Sequence, residues 1–299
     1  MAAIGTTTTT GWTTTSSVSE ALPVIIESAR IVRLFNSVMT KLVDRHTMPE
    51  GSGLVWNEIA LNNLTASNIT ETTILENPQQ LSDNLFQVTP LQVGISTLVT
   101  DRARKRISSN VAALIGQLAG RAMERKKDID GLTIIANATT TLGGSSVVMS
   151  SGYVSAGVAR IKGNSTEPML QGPYYTVLHP FQVKAVQDEV VSGIGTYTIP
   201  TGLTEDTFRQ GYSGNLFGTE VYEDGNITID STTSAKGGVF AKMAVVLVQG
   251  YAPRAETQRR PDIGGGSDVL YMYDEYAYGE RSAGNWLYSI YTDVTAPTS

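Results

Sequence analysis

The chain has 299 residues, of which 41% are apolar and only 17% are charged, and its formal net charge is −6. Because it contains no cysteine, disulfide frameworks, thiolate metal sites and cysteine nucleophiles are excluded. The acidic balance argues against a protein that grips nucleic acid by neutralising phosphates, and no run of about eighteen apolar residues predicts a membrane-spanning helix.

The first 46 residues divide into a polar tract and a predicted helix. Residues 1–17 are an uncharged Thr/Ser/Gly tract with one aromatic residue, Trp12, which alone cannot bury enough apolar surface to offset its ordering entropy. This tract is therefore either a mobile tail or an arm that orders on a neighbouring subunit. Residues 18–46 predict a helix with Ser19 as N-cap, in which Pro23 is tolerated because it lies in the first turn.

Residues 47–98 predict a long, acidic β-hairpin or loop. Apolar residues around Trp56 and from Ile59 to Leu61 indicate a first strand, and the run from Leu85 to Leu98 indicates a second. No Lys or Arg occurs between residues 47 and 101. The carboxylates of the same stretch are Glu50, Glu58, Glu71, Glu76, Asp83 and Asp101.

Residues 99–129 predict the longest helix, capped by Thr100 or Asp101. Apolar residues from Ile107 to Ala122 recur at helical spacing and form one stripe, and Gly131 predicts a break after the helix. The opposite side, here called the basic face, has a net charge of +7 when Glu124 is included. Its cations are Arg102, Arg104, Lys105, Arg106, Arg121, Arg125, Lys126 and Lys127.

The remainder of the chain predicts mixed structure ending in a sheet. Residues 139–172 and 193–215 are rich in Gly, Ser and Thr and predict no clear element, whereas Tyr174 to Leu178 predicts a buried strand that runs into a helix beginning near Pro180. A long helix followed by a terminal sheet indicates an α+β protein. The predicted late strands are Leu216 to Tyr222, Asn226 to Ile229, Phe240 to Gln249, Val269 to Tyr273 and Trp286 to Tyr291.

The search for chemistry finds no catalytic, cofactor or metal site. The two histidines, His46 and His179, lie at predicted helix ends and favour capping or core roles. Asp128 and Asp130 before Gly131 lack the other ligands of a calcium loop and are better explained as the end of a helix. Glycine-rich turns such as residues 264–266 lack the residues of a phosphate-binding loop. We therefore expect a protein that is not an enzyme.

Charge contrast is the one feature that indicates a site. The basic face could be solvated, contact phosphates, or dock an acidic partner, and residues 47–101 supply such a partner in the same chain or in a copy of it. Exposed pairs contribute only about 0–1 kcal/mol each, yet repeated pairs can fix register. The candidate intersubunit residues are Glu50, Glu58, Glu71, Glu76, Asp83, Arg102, Arg106, Arg121, Arg125, Lys126 and Lys127.

The order of these parts resembles a tailed-bacteriophage major capsid protein of the Hong Kong 97 fold. The pattern of parts covers nearly the whole chain, and three stretches carry the resemblance. They are the acidic loop before the basic helix Thr100 to Lys127, the strand-to-helix step Tyr174 to Pro180, and the terminal series from Leu216 through Phe240 to Leu247, Arg254-Ala255-Glu256 and the aromatic strands.

The resemblance implies an α+β subunit that forms pentamers and hexamers of an icosahedral shell enclosing double-stranded DNA without sequence-specific binding. It also implies that the extended loop lies over a neighbouring subunit. The implied parts are an N-terminal arm at 1–46, an extended β-hairpin loop at 47–98, a peripheral domain at 99–169 with the spine helix at 99–129, an axial domain at 170–250, and returning peripheral strands at 251–299.

The resemblance also sets expectations about partners. Some relatives cross-link the loop through a lysine, but residues 47–101 contain none, so no such cross-link is expected. Nothing long precedes the arm, so we expect a separate scaffolding protein, together with a portal and a possible decoration protein. The protein is expected in the virion, after synthesis in the bacterial cytoplasm, with no cofactor and no membrane partner.

Three alternatives remain open from the sequence. An encapsulin-like compartment shares the fold and would contain a cargo enzyme instead of DNA. Another phage structural protein, such as a tail-tube subunit, is disfavoured by the long basic helix, because tube subunits are mostly β. An enzyme with carboxylate chemistry would require a pocket with paired acids in the monomer.

Overall fold

The computed structural model describes residues 12–13, 37–66, 68–69, 79–107, 111–192 and 215–298. Within these ranges the chain contains five α-helices and thirteen β-strands, which confirms the α+β class. The helices are α1 Met39–Leu42, α2 Asp101–Ile107, α3 Val111–Ala136, α4 Ser151–Lys162 and α5 Pro180–Ser192. The strands are β1 Trp12–Thr13, β2 Asp44–Thr47, β3 Trp56–Leu61, β4 Asp83–Val88, β5 Leu91–Thr100, β6 Thr141–Gly143, β7 Tyr174–Leu178, β8 Asn215–Leu216, β9 Thr219–Glu223, β10 Ser234–Ala241, β11 Val245–Arg260, β12 Ser267–Glu280 and β13 Leu287–Asp293.

The described strands form two large sheets and one separate hairpin. One sheet has the order β6-β13-β10-β7-β9-β8, and the other has the order β1-β5-β12-β11-β2. The hairpin pairs β3 with β4 alone. The predicted boundary at residue 250 falls inside β11, and β13 lies beside β10, so the sheets do not follow the predicted ranges 170–250 and 251–299.

The apolar run Phe240 to Gln249 was predicted as one strand, and this prediction is wrong. A 3-10 turn at Lys242–Ala244 divides it, leaving the end of β10 in the six-stranded sheet and the start of β11 in the five-stranded sheet. Both strands are buried on both faces there, so the sequence shows no alternation that could mark the turn.

The main core lies between the six-stranded sheet and the four helices α1, α3, α4 and α5. The side chains of Val239, Phe240 and Ile290 from the sheet pack with Ile135 of α3 and Ile161 of α4. Helix α4 was missed in the sequence because small residues interrupt its apolar pattern. One of them, Gly157, lets α4 approach β10 closely, since a Cβ there would lie 3.1 Å from Cβ of Val239.

The long helix differs from its prediction at the C-terminal end. Thr100 caps α2 as predicted, with its Oγ1 accepting the N–H of Ala103 at 3.2 Å. The predicted break at Gly131 is wrong, because α3 continues through it to Ala136. An added Cβ at Gly131 would meet Cβ of Met39 at 3.0 Å and the Tyr278 ring at 3.1 Å, so this glycine permits close packing instead of ending the helix.

The N-terminal prediction is partly wrong and partly outside the described residues. Residues 18–36, which are most of the predicted helix 18–46, lie outside the described residues. Residues 44–47 form β2, which pairs in parallel with β11, so His46 lies on a strand and not at a helix end. A predicted strand at Asn226 to Ile229 is also wrong, since only an isolated bridge forms at Ile229.

The step from β7 into α5 is confirmed. Pro180 occupies the first turn, where its missing N–H costs no hydrogen bond. His179 caps the helix, because its Nδ1 accepts the N–H of Phe181 at 3.2 Å. Burial lowers the pKa of His179, which favours the neutral ring that can accept this bond.

Candidate intersubunit surface

The hairpin of β3 and β4 has one face turned toward the body of its own subunit. Trp56 lies opposite Val88 and Glu58 opposite Phe86 in the antiparallel register. Trp56, Phe86 and Val88 pack with apolar residues of β11 and β12 in a small second core. The base of the hairpin is therefore packed against its own subunit through the side chains that alternate onto its inner face.

The opposite face of the hairpin is exposed and carries three large apolar side chains together with the polar residues Asn57, Asp83 and Gln87. Ile59 and Leu85 lie directly across from each other, with 61% and 58% of their surfaces exposed. Leu61 follows on the same face of β3, two residues after Ile59, and is also exposed. Contiguous exposed apolar surface of this kind indicates a site of protein–protein contact. Other exposed large hydrophobic residues in and around the hairpin are Leu54, Leu64, Ile69, Leu81 and Leu91.

A buried arginine fixes the hairpin base. Arg281, whose side chain is 9% exposed, donates from Nε to Oε2 of Glu58 at 2.7 Å and from Nη1 to Oδ2 of Asp44 at 2.7 Å. Its guanidinium also lies over the ring of Trp56, which stacks on His46 at 5.0 Å. Burial raises the pKa of Asp44, but hydrogen bonds from Arg281 and His46 outweigh this and hold it below its usual value. Sequence reasoning missed Arg281, because nothing in its local pattern indicates its distant partners.

The acidic candidates divide into three groups. Glu50 and Asp83 are exposed on the turn before β3 and at the start of β4. Glu58 is neutralised within the chain by Arg281. Glu71 and Glu76 lie outside the described residues, so the structure does not place them.

The basic candidates differ in their exposure and in their ion pairs within the chain. Arg102, Arg106, Arg121 and Arg125 are exposed on α2 and α3, and no ion pair forms at them within the described ranges. Lys126 is exposed as well, but its Nζ lies 2.5 Å from Oδ1 of Asp130, one helical turn away.

Lys127 faces the interior of its own subunit. Its side chain is 13% exposed, and its Nζ lies 2.6 Å from Oδ2 of Asp274 and 4.7 Å from the ring centre of Tyr276. The exposed basic face therefore contains fewer cations than the sequence predicted, because Lys127 points toward β12 and not toward solvent. Arg104 also forms ion pairs within its own chain, with Asp101 and Asp268.

A groove of about 1300 Å³ lies beside the basic face, between residues 37–47, α3 and the strands β11 and β12. Arg121, Lys41 and Arg45 line it and outnumber the exposed acid Glu124. The lining of the groove is therefore positively charged, which suits an acidic segment of another molecule.

No conventional active site is evident in the described part of the chain. Among those residues no group of three or more His, Cys, Asp or Glu side chains could hold a metal ion. None of the described helices is long and apolar enough to cross a membrane.

Comparison with known proteins identifies the family. A model of a phage capsid protein family matches residues 86–284, which is most of the chain. The chain belongs to the phage capsid protein family. The resemblance inferred from the sequence is thereby confirmed, and the chain is a structural protein of the phage capsid. A comparison with curated proteins finds no significant sequence match.

Solved structures show the same fold at low sequence identity. A structure from Mycobacterium phage Che8 is 15% identical, with a TM-score of 0.70, and the match covers 90% of this chain and 96% of that one. The head structure of Helicobacter pylori bacteriophage KHP40 is 11% identical, with a TM-score of 0.69 and coverage of 92% and 96%. The capsid of Ralstonia phage GP4 is 13% identical, with a TM-score of 0.69 and coverage of 94% and 97%. These matches confirm the Hong Kong 97 fold and do not favour a tail-tube subunit, while the family match does not favour an encapsulin or an unrelated enzyme.

Proposed function

We propose that copies of this major capsid protein assemble into pentamers and hexamers of an icosahedral head that encloses double-stranded DNA. The chain acts by tiling and not by catalysis. The membership of the phage capsid protein family and the fold support this proposal. The observation that carries it is the exposed apolar face of the β3–β4 hairpin, formed by Ile59, Leu61 and Leu85.

That face requires an occupant, and a second copy of the chain fits it best. The inner face of the hairpin is already packed on its own subunit through Trp56 and Phe86. The outer face therefore points away from the described residues that the inner face contacts, since the two faces of a strand point in opposite directions. Burying its apolar residues on a neighbour would stabilise the shell by about 25 cal/mol per Å² of apolar area removed from water.

Charge would select the position of the hairpin on that neighbour. The acidic candidates left without an ion pair among the described residues are Glu50 and Asp83, and Glu71 and Glu76 belong to the same acidic stretch. We propose that these four acidic residues contact a basic surface of another subunit. Its cations are Arg102, Arg106, Arg121 and Arg125, with Lys126 as an additional exposed cation. Lys127 and Glu58 contribute little to this contact, because their charges are matched within the chain.

The proposal extends to the other components of a phage head. A separate scaffolding protein, a portal and a possible decoration protein would be partners, and the protein would be found in the virion after synthesis in the host cytoplasm. The net charge of −6 is consistent with a wall that surrounds DNA without gripping phosphates.

Charge exchange tests the intersubunit contact. The triple variant Arg102→Glu, Arg121→Glu and Arg125→Glu should fold normally, because these exposed side chains form no ion pair with described residues, yet it should form few shells. The hairpin variant Glu50→Lys with Asp83→Lys should show the same defect, and combining the two sets should restore assembly in part. Shells in normal yield from the triple arginine variant, measured by sedimentation, would refute the contact.

A further inference from the structure

A fully buried carboxylate, Asp128, holds three parts of the chain together. It lies in α3 with 0% of its surface exposed. Its Oδ1 accepts the N–H groups of Val38 at 2.8 Å and Met39 at 3.0 Å, and the hydroxyl of Ser37 at 3.2 Å. Its Oδ2 accepts the side-chain N–H of Asn226 at 2.9 Å. Three donors therefore lie on Oδ1 and one lies on Oδ2, which can accept one further hydrogen bond, and this set of donors suits the ionised form of Asp128.

A second carboxyl group lies in contact with the first. Asp224 follows β9 and is 1% exposed. Its Oδ1 accepts the backbone N–H of Asn226 at 2.8 Å, and the side chain of the same Asn226 donates to Asp128, so the two carboxyl groups share a neighbour, while Oδ2 of Asp224 has no hydrogen-bond partner among the described residues. Two buried carboxyl groups that share a neighbour favour a state in which one holds a proton, because ionising both places two negative charges together away from water. The donor count assigns this proton to Asp224.

We propose that Asp224 is a neutral carboxylic acid that donates its O–H to Asp128, and that this shared proton clasps Ser37–Met39 and the turn at Asp224–Asn226 to helix α3. The clasp joins the C-terminal part of the predicted arm to the longest helix and to the turn that follows β9 of the six-stranded sheet. Burial and the neighbouring Asp128 support this assignment, since they raise the pKa of Asp224 to about 8.

A proton fits this site better than a metal ion. A cation would have to displace the N–H and O–H donors of Asp128, whereas the remaining position on its Oδ2 can accept a single O–H. The other polar oxygens nearby that lack a partner among the described residues are Oδ1 of Asn226 and the hydroxyl of Tyr278. The other titratable and charged groups around that tyrosine are Asp130 on α3, Tyr276 on β12 and Arg45 on β2.

The clasp makes the fold sensitive to alkaline pH. An acid whose pKa is higher in the folded state than in the unfolded state stabilises the fold less as pH rises. The stabilisation from this proton is therefore complete below the ordinary pKa of Asp, falls as pH rises, and is lost above about 8. Deprotonation places a second negative charge beside Asp128 and weakens the hold on Ser37–Met39.

Infrared spectroscopy of the full-length protein with isotopically labelled aspartate tests the protonation directly. At neutral pH the wild type should show the C=O stretch of a buried carboxylic acid, and Asp224→Asn should remove it. Glu280→Gln is a control, because burial also raises the pKa of Glu280 but the aspartate label does not report on it. Absence of the band in the wild type, or its persistence in Asp224→Asn, would overturn the proposal.

Thermal unfolding tests the clasp. The amide of Asp224→Asn can donate to Asp128 as the O–H does, so this variant should fold and should lack the pH-dependent loss of stability. The advantage in Tm of Asp224→Asn over the wild type should grow from about pH 5 to about pH 8 and then level off. Asp128→Asn should lower Tm at every pH, because it removes the charge that its four donors stabilise. A Tm difference between Asp224→Asn and the wild type that does not change with pH would contradict the proposal.

Discussion

Arg281 donates its Nε–H to Oε2 of Glu58 at 2.7 Å across 223 residues of sequence, and so ties the end of β12 to the first strand of the hairpin. The same guanidinium reaches Asp44 on β2. One side chain therefore fixes the orientation of the hairpin relative to the five-stranded sheet. The hairpin is the part of the subunit that we expect to contact a neighbour, so its inclination bears directly on assembly.

Replacing Arg281 tests this anchor. Arg281→Ala leaves the carboxylates of Asp44 and Glu58 facing each other without a cation, and should lower the free energy of unfolding by about 1–3 kcal/mol after allowance for the partial exposure of both acids. Arg281→Lys should recover part of this loss, because a lysine keeps the charge but not the forked geometry. Urea unfolding measures both, and a loss below about 0.5 kcal/mol for Arg281→Ala would show that the anchor is unimportant.

Gly131 should be intolerant of a methyl group. In an open helix Gly→Ala stabilises by about 1 kcal/mol, but at this position the new Cβ would press on Met39 and Tyr278. We expect Gly131→Ala to destabilise by about 1–3 kcal/mol in urea unfolding. Gly116 in the same helix is the matched control, since among the described residues no atom beyond the surrounding helix backbone lies within 4 Å of an added Cβ there. Equal stability changes in the two variants would contradict the packing explanation.

The outer face of the hairpin should matter for assembly and not for folding. Ile59→Asp replaces an exposed side chain, so subunit stability should change by less than about 0.5 kcal/mol while the yield of shells falls sharply. Asn57→Asp adds the same charge to the same face of β3 without removing an apolar group, and should assemble more nearly as the wild type does. Comparable shell yields from both variants, measured by sedimentation, would remove the support for an apolar contact.

Mature particles should not contain subunits that are covalently cross-linked through a lysine of the extended loop. The segment from residue 47 to residue 101 contains no lysine that could form an isopeptide bond. Denaturing gels of purified particles should therefore show monomers. A ladder of covalent multimers would contradict this expectation.

The sequence predicted those parts of the fold that rest on local patterns. The cap at Thr100, the strand before His179 and the helix at Pro180 follow from nearby residues, and the structure confirms them. The division of residues 240–249 between two sheets could not be predicted, because both halves are equally apolar and buried. The continuation of α3 through Gly131 was missed because it depends on Met39 and Tyr278, which are distant in sequence.

The candidate surface was predictable in outline and not in detail. Net charge alone identified the acidic stretch and the basic face. It could not show that Lys127 pairs with Asp274 or that Glu58 pairs with Arg281, since both pairs depend on the folded position of β12. It also could not distinguish Asp128 as a buried acceptor from a residue that ends a helix.

Electron cryomicroscopy of assembled particles tests the central claim most directly. We expect closed shells of pentamers and hexamers in which the hairpin β3–β4 lies over α3 of a neighbouring subunit, with Ile59 and Leu85 buried and Glu50 and Asp83 near Arg121 and Arg125. A shell in which the outer face of the hairpin remains exposed, or particles in which this chain is not the main wall protein, would contradict the account.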